Sequence, residues 1–369
     1  MQNGKISEIV KYFLRLGFVA FGGPAAHVAM MEEDLVQRKK WMDGQTFLDY
    51  LGATNLIPGP NSTEMTMHVG YHRGGPAGLF AAGISFIFPA VLLTLAVAML
   101  FEQVSDIDWV IPIINGIKAA VLSFILAAIL KLGKKAVKNI QLAILGGLVI
   151  IASALGINEI LCILSAGLIM LGVSAATKSN RALSILPVLF LSIASYSHLK
   201  LFLTFLKVGA VLFGSGYVLF AYLDGELIEG MQWLTHPDLV EAIAIGQITP
   251  GPVLSTSTFI GYKLGGVPGA IYATLGIFLP SFFYVWLLNP IVKKFRTQPL
   301  LQAFLNGVNV AAVAVMVVVS IKMGESILIN WQTIVIALLS FAIYFSVKKL
   351  NTLWIILGGA ILGFLFSLI

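Results

Sequence analysis

Charge is scarce in this chain. Its 369 residues include 23 Lys and Arg and 17 Asp and Glu, so only 11% are charged, against about 25% in ordinary soluble domains. With 58% hydrophobic residues and a mean hydropathy of +0.94, too little polar surface remains to cover a water-soluble globule. Cysteine is almost missing. Cys162 stands alone inside an apolar segment, which excludes a disulfide framework and a Cys-based metal site. The five histidines (His27, His68, His72, His198 and His236) form neither HxH nor HExxH spacing, so neither metal nor metal cofactor is expected. No Walker A, Gly-x-Ser-x-Gly, CxxC or βαβ-opening GxGxxG motif occurs. Energy would then come from an ion or substrate gradient, and an enzyme is not expected. The opening MQNGKISEIVKYFLRLG carries charges into its first apolar stretch and lacks a small-x-small cleavage site, so it reads as mature structure.

What is present is apolar length. At about 20 residues per crossing plus loops, the chain allows roughly ten to thirteen membrane elements. Its net charge of +6 comes from Lys and Arg clustered between apolar runs. That pattern reports topology in a bilayer rather than nucleic-acid binding.

The chain is a tandem duplication. Residues 13–60 align with 205–252 at a constant offset of 192, with twelve identities in 48 positions. Gly17/Gly209, Phe21/Phe213, Gly22/Gly214, Trp41/Trp233 and a whole Pro-Gly-Pro at 58–60 and 250–252 are among them. Gly70-Tyr71-x-x-Gly74-Gly75 matches Gly261-Tyr262-x-x-Gly265-Gly266. The expected organisation is a first repeat over 1–177, a connecting segment over 178–198 that supplies an extra crossing, and a second repeat over 199–369. Each repeat should hold a glycine-interrupted segment (7–30; 199–222), then two short helices around Pro-Gly-Pro (47–57 and 61–73; 238–249 and 253–263). Four apolar stretches should follow (78–101, 112–131, 140–156, 159–175; 268–289, 301–321, 331–346, 352–368).

Loop charges alternate with opposite phase in the two halves. Arg38-Lys39-Lys40, Lys131 to Lys138, and Lys178 with Arg181 mark one side in the first half. In the second half the equivalent of 38–40 carries Asp224, Glu226 and Glu229, while Lys293, Lys294, Arg296 and Lys348-Lys349 occupy the opposite loops. The positive-inside rule then predicts an all-α polytopic membrane protein of two inverted-topology repeats with Pro/Gly-broken re-entrant helices. It places the N-terminus in the cytoplasm and the C-terminus on the periplasmic side.

The breaks locate the chemistry. Neither proline of Pro-Gly-Pro offers an N–H, and the residue before each is pushed out of the α region. Unwound backbone at membrane depth survives only inside protein or along a polar cavity. A helix starting after such a break points free N–H groups and its positive dipole end into that cavity, which suits an oxyanion. The candidate substrate-binding set is therefore Gly22, Gly23, Pro58, Gly59, Pro60, Asn61 and Ser62 from one half. Gly214, Ser215, Gly216, Pro250, Gly251, Pro252 and Ser255 come from the other. The hydroxyls and amides after each break can also simply cap their helices. Asn55 and its equivalent Gln247 precede the breaks by three residues and can bond broken backbone or ligand alike. Arg15 and Lys207 are equivalent cations within apolar stretches, candidates for drawing the substrate in, with snorkelling to the interface as the alternative. Glu64 either caps its own helix, in a capping-box spacing from Asn61, or carries a coupling proton. His27 is either a packing residue or a proton relay. Arg73 and Lys263 read as orientation charges.

At these residues the sequence resembles a known family. FGGPAAHVAMMEEDLVQRKKW, NLIPGPNSTEM and GYHRGG are similar to the amino-terminal signature of the chromate ion transporter family. FLKVGAVLFGSGYVLFAYL, AIGQITPGP and TLGIFLPSFF are similar to its carboxy-terminal signature, in the long two-domain form. Ser215 departs from the glycine expected there. The resemblance implies a bacterial inner-membrane secondary transporter that exports chromate, with sulfate as the look-alike oxyanion. It implies energy from proton motive force or anion exchange, so the partners are the oxyanion, a coupling proton or counter-anion, and lipid. An uptake or exchange carrier for sulfate is the alternative, and the sequence leaves monomer and homodimer open.

Overall fold

Glycines, prolines and helix caps recur at one spacing, and the local structure follows them. The computed structural model describes residues 2–21, 23–176, 196–213, 216–289, 299–347 and 352–368. The expectations for Gly22, Gly214, Ser215, residues 178–195 and the loop cations Lys293, Lys294, Arg296, Lys348 and Lys349 lie outside the described residues. Among the described residues there are fourteen α-helices and no strand, as an all-α polytopic membrane protein requires.

The first half runs α1 (Gln2–Val19), α2 (Gly23–Met31), a π-helical turn (Glu32–Arg38), α3 (Gly44–Thr54), α4 (Asn61–Val104), α5 (Ile111–Ala136), α6 (Ile140–Ala154) and α7 (Glu159–Ala176). The second runs α8 (His198–Val211), α9 (Leu219–Leu223), a π-helical turn (Asp224–Gly230), α10 (His236–Ile248), α11 (Thr256–Leu288), α12 (Pro299–Ile327), α13 (Trp331–Ser346) and α14 (Thr352–Phe366). Two residues past each π turn stands a residue with positive φ, Lys40 (51°) and Gln232 (53°), 192 positions apart. The tryptophan after each bonds back to a leucine carbonyl, Trp41 N to Leu35 O at 2.7 Å and Trp233 N to Leu227 O at 2.8 Å. Caps repeat as well: Asn139 and Asn330 each accept from the backbone N–H three residues on, both at 2.9 Å. Asp43 caps α3, and its bonds from the Thr46 amide and hydroxyl hold its carboxyl below the usual range.

α4 and α11 are each two helical arms. Gly75 (φ 64°, ψ −155°) and Gly266 (φ 60°, ψ −153°) interrupt them with nearly identical left-handed conformations that a side chain would resist. The chain reverses there. A Cβ on Gly70 would meet the Gly78 carbonyl at 2.3 Å, and one on Gly261 would meet Gly269 at 2.3 Å, contacts that only folded-back arms allow. The short arms after each Pro-Gly-Pro are thus separate from the long arms that follow, as the two expected stretches require.

Four helices, α4, α5, α11 and α12, are long and apolar enough to cross a membrane, two in each half. The shorter apolar helices α6, α7, α13 and α14 make up the rest. Fifteen residues reach about 22 Å, short of a roughly 30 Å hydrocarbon core. Exposed apolar side chains run in stripes, Ile84, Phe88 and Leu92 on α4 and Ile271, Leu275 and Leu279 on α11. Spaced four apart, they form lipid-facing ridges. The polar residues Glu64, His68, Thr256 and Ser257 are fully buried. The interior therefore carries the polar chemistry and the outside carries the hydrocarbon.

Candidate functional site

A helix end leaves carbonyls without partners, and a Pro-Gly-Pro has one N–H to give, that of its glycine. The fold joins these two deficits across the halves. Gly59 N donates to Leu212 O, just past α8, at 2.7 Å; Gly251 N donates to Ala20 O, just past α1, at 2.9 Å. Gly59 and Gly251 are equivalent in the repeat, and so are Ala20 and Leu212. Each break is thus held by the other half's broken segment, in a reciprocal exchange. Pro58 to Pro60 and Pro250 to Pro252 are all buried. Both glycines have positive φ, 141° and 91°.

Side chains differentiate the two junctions. A Cβ on Gly59 would lie 2.1 Å from Glu64 Oε1 and 2.3 Å from Ser281 Oγ, so a carboxyl and a hydroxyl close over this backbone. Both are fully buried, and neither has a hydrogen-bond partner. At the second junction the same construction on Gly251 meets the Ala90 methyl at 2.7 Å. There Ala20 O also accepts from His27 Nε2 at 3.0 Å, and Thr94 bonds Thr249 at 3.2 Å. His27 is buried against Phe86, with Nδ1 unpartnered.

The helices that leave the breaks begin without side-chain caps. Pro60 is the N-cap of α4, and no side chain caps it. Asn61 instead donates to Asn55 Oδ1 at 2.9 Å, and exposed Asn55 donates to Leu51 O, so the spacing from Asn61 to Glu64 does not close as a capping box. Ser62 is buried. In the second half the hydroxyls mostly turn back on local backbone: Thr256 to Val253 O, Ser257 to Leu254 O, while Thr258 pairs with Thr274. Ser255 Oγ and Gln247 Nε2, on either side of the buried Pro250 to Pro252 in the chain, are left buried and unpartnered, and buried Gly216 lies against Val253 and Leu254. Gly23, also buried, begins α2 with φ 77°. A ligand with several acceptor oxygens would satisfy such donors.

The two repeat-equivalent cations do not share a setting. Arg15 is exposed on α1. Lys207 is half-buried and pairs with Glu226 at 2.7 Å. Arg73 pairs with Glu8 at 2.8 Å over the Trp41 ring, and Lys263 bridges Asp238 and Glu241.

Sequence reading passed over three features. Lys118, mid-stretch in α5, makes a mostly buried ion pair with Glu241 at 2.6 Å; its position within an apolar run was the available signal. Asp224, Glu229 and His236 place one ligand atom each within 4.8 Å of one another and could surround a small cation, although Glu229 also pairs with Lys322 and His236 with Asp224. The packing of Glu159 against Gly225 brings a third acid to the same place. Spacings of five and seven residues gave no sign of it. Third, His68 Nδ1 bonds Asn289 Oδ1 at 3.0 Å across 221 residues.

A family model, chromate transporter, matches residues 7–171 and again 199–364, once in each half. The chain belongs to the chromate transporter family. The chromate transport protein of Cupriavidus metallidurans is 31% identical over 97% of this chain and 92% of its own length. The probable chromate transport protein of Synechococcus elongatus is 30% identical over 98% and 95%. The chromate transport protein of Pseudomonas aeruginosa is 25% identical over 97% and 92%. No solved structure matches the chain. Membership makes this a membrane-embedded member of a transporter family, with chromate as the substrate that family supports.

Proposed function

We propose that the chain exports chromate across the bacterial inner membrane by alternating access of two inverted repeats, the anion binding where the two Pro-Gly-Pro junctions meet. The observation that carries this reading is the reciprocal pair Gly59 N to Leu212 O and Gly251 N to Ala20 O. Each half supplies the backbone anchor for the other's break, so rocking one half against the other reshapes both junctions together. Uncapped helix starts at 61–62 and 253–255, with Ser255 and Gln247, supply donors for a tetrahedral oxyanion. Arg15 attracts the anion from outside the junctions, and Lys207 tunes the second half through Glu226.

Direction follows from charge. One elementary charge moved across 100 mV is worth about 2.3 kcal/mol, so a dianion leaving an inside-negative cell gains roughly 5 kcal/mol per 100 mV. Glu64 lies beside the first junction, and a bare carboxylate there would repel the dianion. A proton on Glu64 removes that repulsion and couples the two ions. Everted vesicles containing the protein should accumulate chromate when energised and lose it on adding an ionophore. Equilibration without accumulation would identify a passive pore instead, and stronger competition by sulfate than by chromate itself would identify a sulfate carrier.

A further inference from the structure

The first arm of α4 carries Glu64, His68 and His72, spaced four apart and therefore on one face of the helix. Burial falls along the row: Glu64 and His68 are fully buried and His72 is exposed. Two other helices line it. From α11, Ser281 stands beside Glu64 at the break, and Asn289, which caps its C-terminal end, bonds His68 Nδ1 at 3.0 Å. From α3, the Tyr50 ring stacks on His68 at 5.1 Å and 14°, and its hydroxyl lies 3.4 Å from His72 Nδ1.

With Asn289 Oδ1 as the acceptor, His68 Nδ1 carries the hydrogen and Nε2 is the basic nitrogen. His68 Nε2, both Glu64 oxygens, Ser281 Oγ and Asn289 Nδ2 are all buried without a partner. Orphaned buried polar atoms are uncommon and costly. Here Ser281 Oγ stands beside Glu64 at the break and Asn289 beside His68 one turn away, so unpaired polar atoms occur at both ends of the buried part of the row, where water can be bound.

We propose that Glu64, His68, Tyr50 and His72 form a proton path along α4, linking the exposed end of the arm to the first Pro-Gly-Pro junction. His72 takes the proton at the surface, with Asp43 and Arg73 as the charged groups near it. Arg73 is itself engaged by Glu8. The Tyr50 hydroxyl passes the proton inward by giving one hydrogen and taking another. A water at His68 Nε2, which no protein group occupies, carries the proton from Tyr50 to the ring and, once the ring releases it, on to Glu64, where Ser281 Oγ donates to the carboxylate or accepts from the acid. Each transfer moves one proton and leaves the donor to be refilled from the surface side. The path rests on the reading of the junction as the anion site, and it adds the route by which that site is charged and discharged. In the register of Gly70 and Gly261 the matching positions of the second half are Ser255, Phe259 and Lys263. Lys263 is engaged by Asp238 and Glu241, and no acid or histidine stands at the other two, so the path belongs to one half.

Two readouts on the intact protein in sealed proteoliposomes test this: chromate flux, and the accompanying proton flux from a trapped pH dye. Wild type should move protons with chromate, and H68Q should lower that proton-coupled flux at least tenfold while chromate binding, followed by tryptophan fluorescence, stays within about threefold. Y50F and H72Q, nearer the surface, should lower it about threefold and serve if H68Q does not yield a monodisperse protein. Proton coupling that survives unchanged in H68Q, or in both Y50F and H72Q, overturns the path and leaves the anion site standing. Wild-type chromate flux without proton flux overturns proton coupling altogether. Absence of chromate flux in the wild type overturns the anion site and the path with it.

Discussion

The two Pro-Gly-Pro junctions share a backbone and differ in chemistry. Each glycine N–H crosses to the carbonyl that ends the other half's first helix, at 2.7 and 2.9 Å. Around Gly59 stand Glu64 and Ser281, whereas Gly251 faces the Ala90 methyl, and Thr256 lies against Gly246 with its hydroxyl occupied by Val253 O. The two supports match in backbone, and the buried acid stands beside Gly59. The lesson is that the reciprocal hydrogen bonds are architecture, while the asymmetry over them is where coupling chemistry can reside.

The largest expected effect would break the structural half of this comparison. Gly59→Ala and Gly251→Ala each add a methyl at positive φ into contacts of 2.1 to 2.7 Å. Backbone strain of about 1–3 kcal/mol and overpacking of about 1–3 kcal/mol should both apply. Both variants should lose most monodisperse protein in detergent, read by size exclusion and thermal melting. Tolerance of one and not the other would show that the supports are unequal.

Next comes the chemical half. Glu64→Gln should cut chromate accumulation in energised everted vesicles at least tenfold, while Thr256→Val in the second half should cut it no more than threefold. Equal losses would sink the asymmetry. Ser255→Ala is expected to raise the KM for chromate three- to tenfold with little change in melting temperature, since it removes a donor that no protein group uses.

The smallest effects concern the paired cations. Lys207→Gln leaves Glu226 without its 2.7 Å partner. With Lys207 about a quarter exposed, the loss should be near 1–2 kcal/mol rather than the full cost of a buried pair. Adding Glu226→Gln should recover most of the melting temperature. Arg15→Gln, on an exposed side chain, should change stability by no more than about 0.5 kcal/mol. It should slow chromate uptake modestly, and added salt should erase the difference.

Much of the fold could be read from residue order because its signals are local. Proline lacks an N–H and glycine tolerates positive φ, so Pro58–Pro60, Pro250–Pro252, Gly75 and Gly266 announce breaks wherever they occur. Long apolar runs announce α4, α5, α11 and α12 by composition. The candidate site was legible in part for the same reason, since the broken backbone at Gly59 and Gly251 is where the halves meet. Pairings between distant side chains were not. Arg15 and Lys207 look equivalent in the repeat, but whether a cation meets an acid depends on the neighbouring element, and Glu226 reaches Lys207 from the π turn.

The sequence by itself determined the membrane class, the positions of the breaks and the family, because burial in lipid and backbone conformation act residue by residue. Tertiary structure alone decided which carbonyl each break would use, and that Glu64 would lie beneath Ser281. It likewise decided that His68 would be held by Asn289 and that Asp224 would gather Glu229 and His236. These are contacts across as many as 221 residues, fixed by how the helices pack. Hydrogen bonds and ion pairs act only within a few ångströms, and packing chooses which groups come that close.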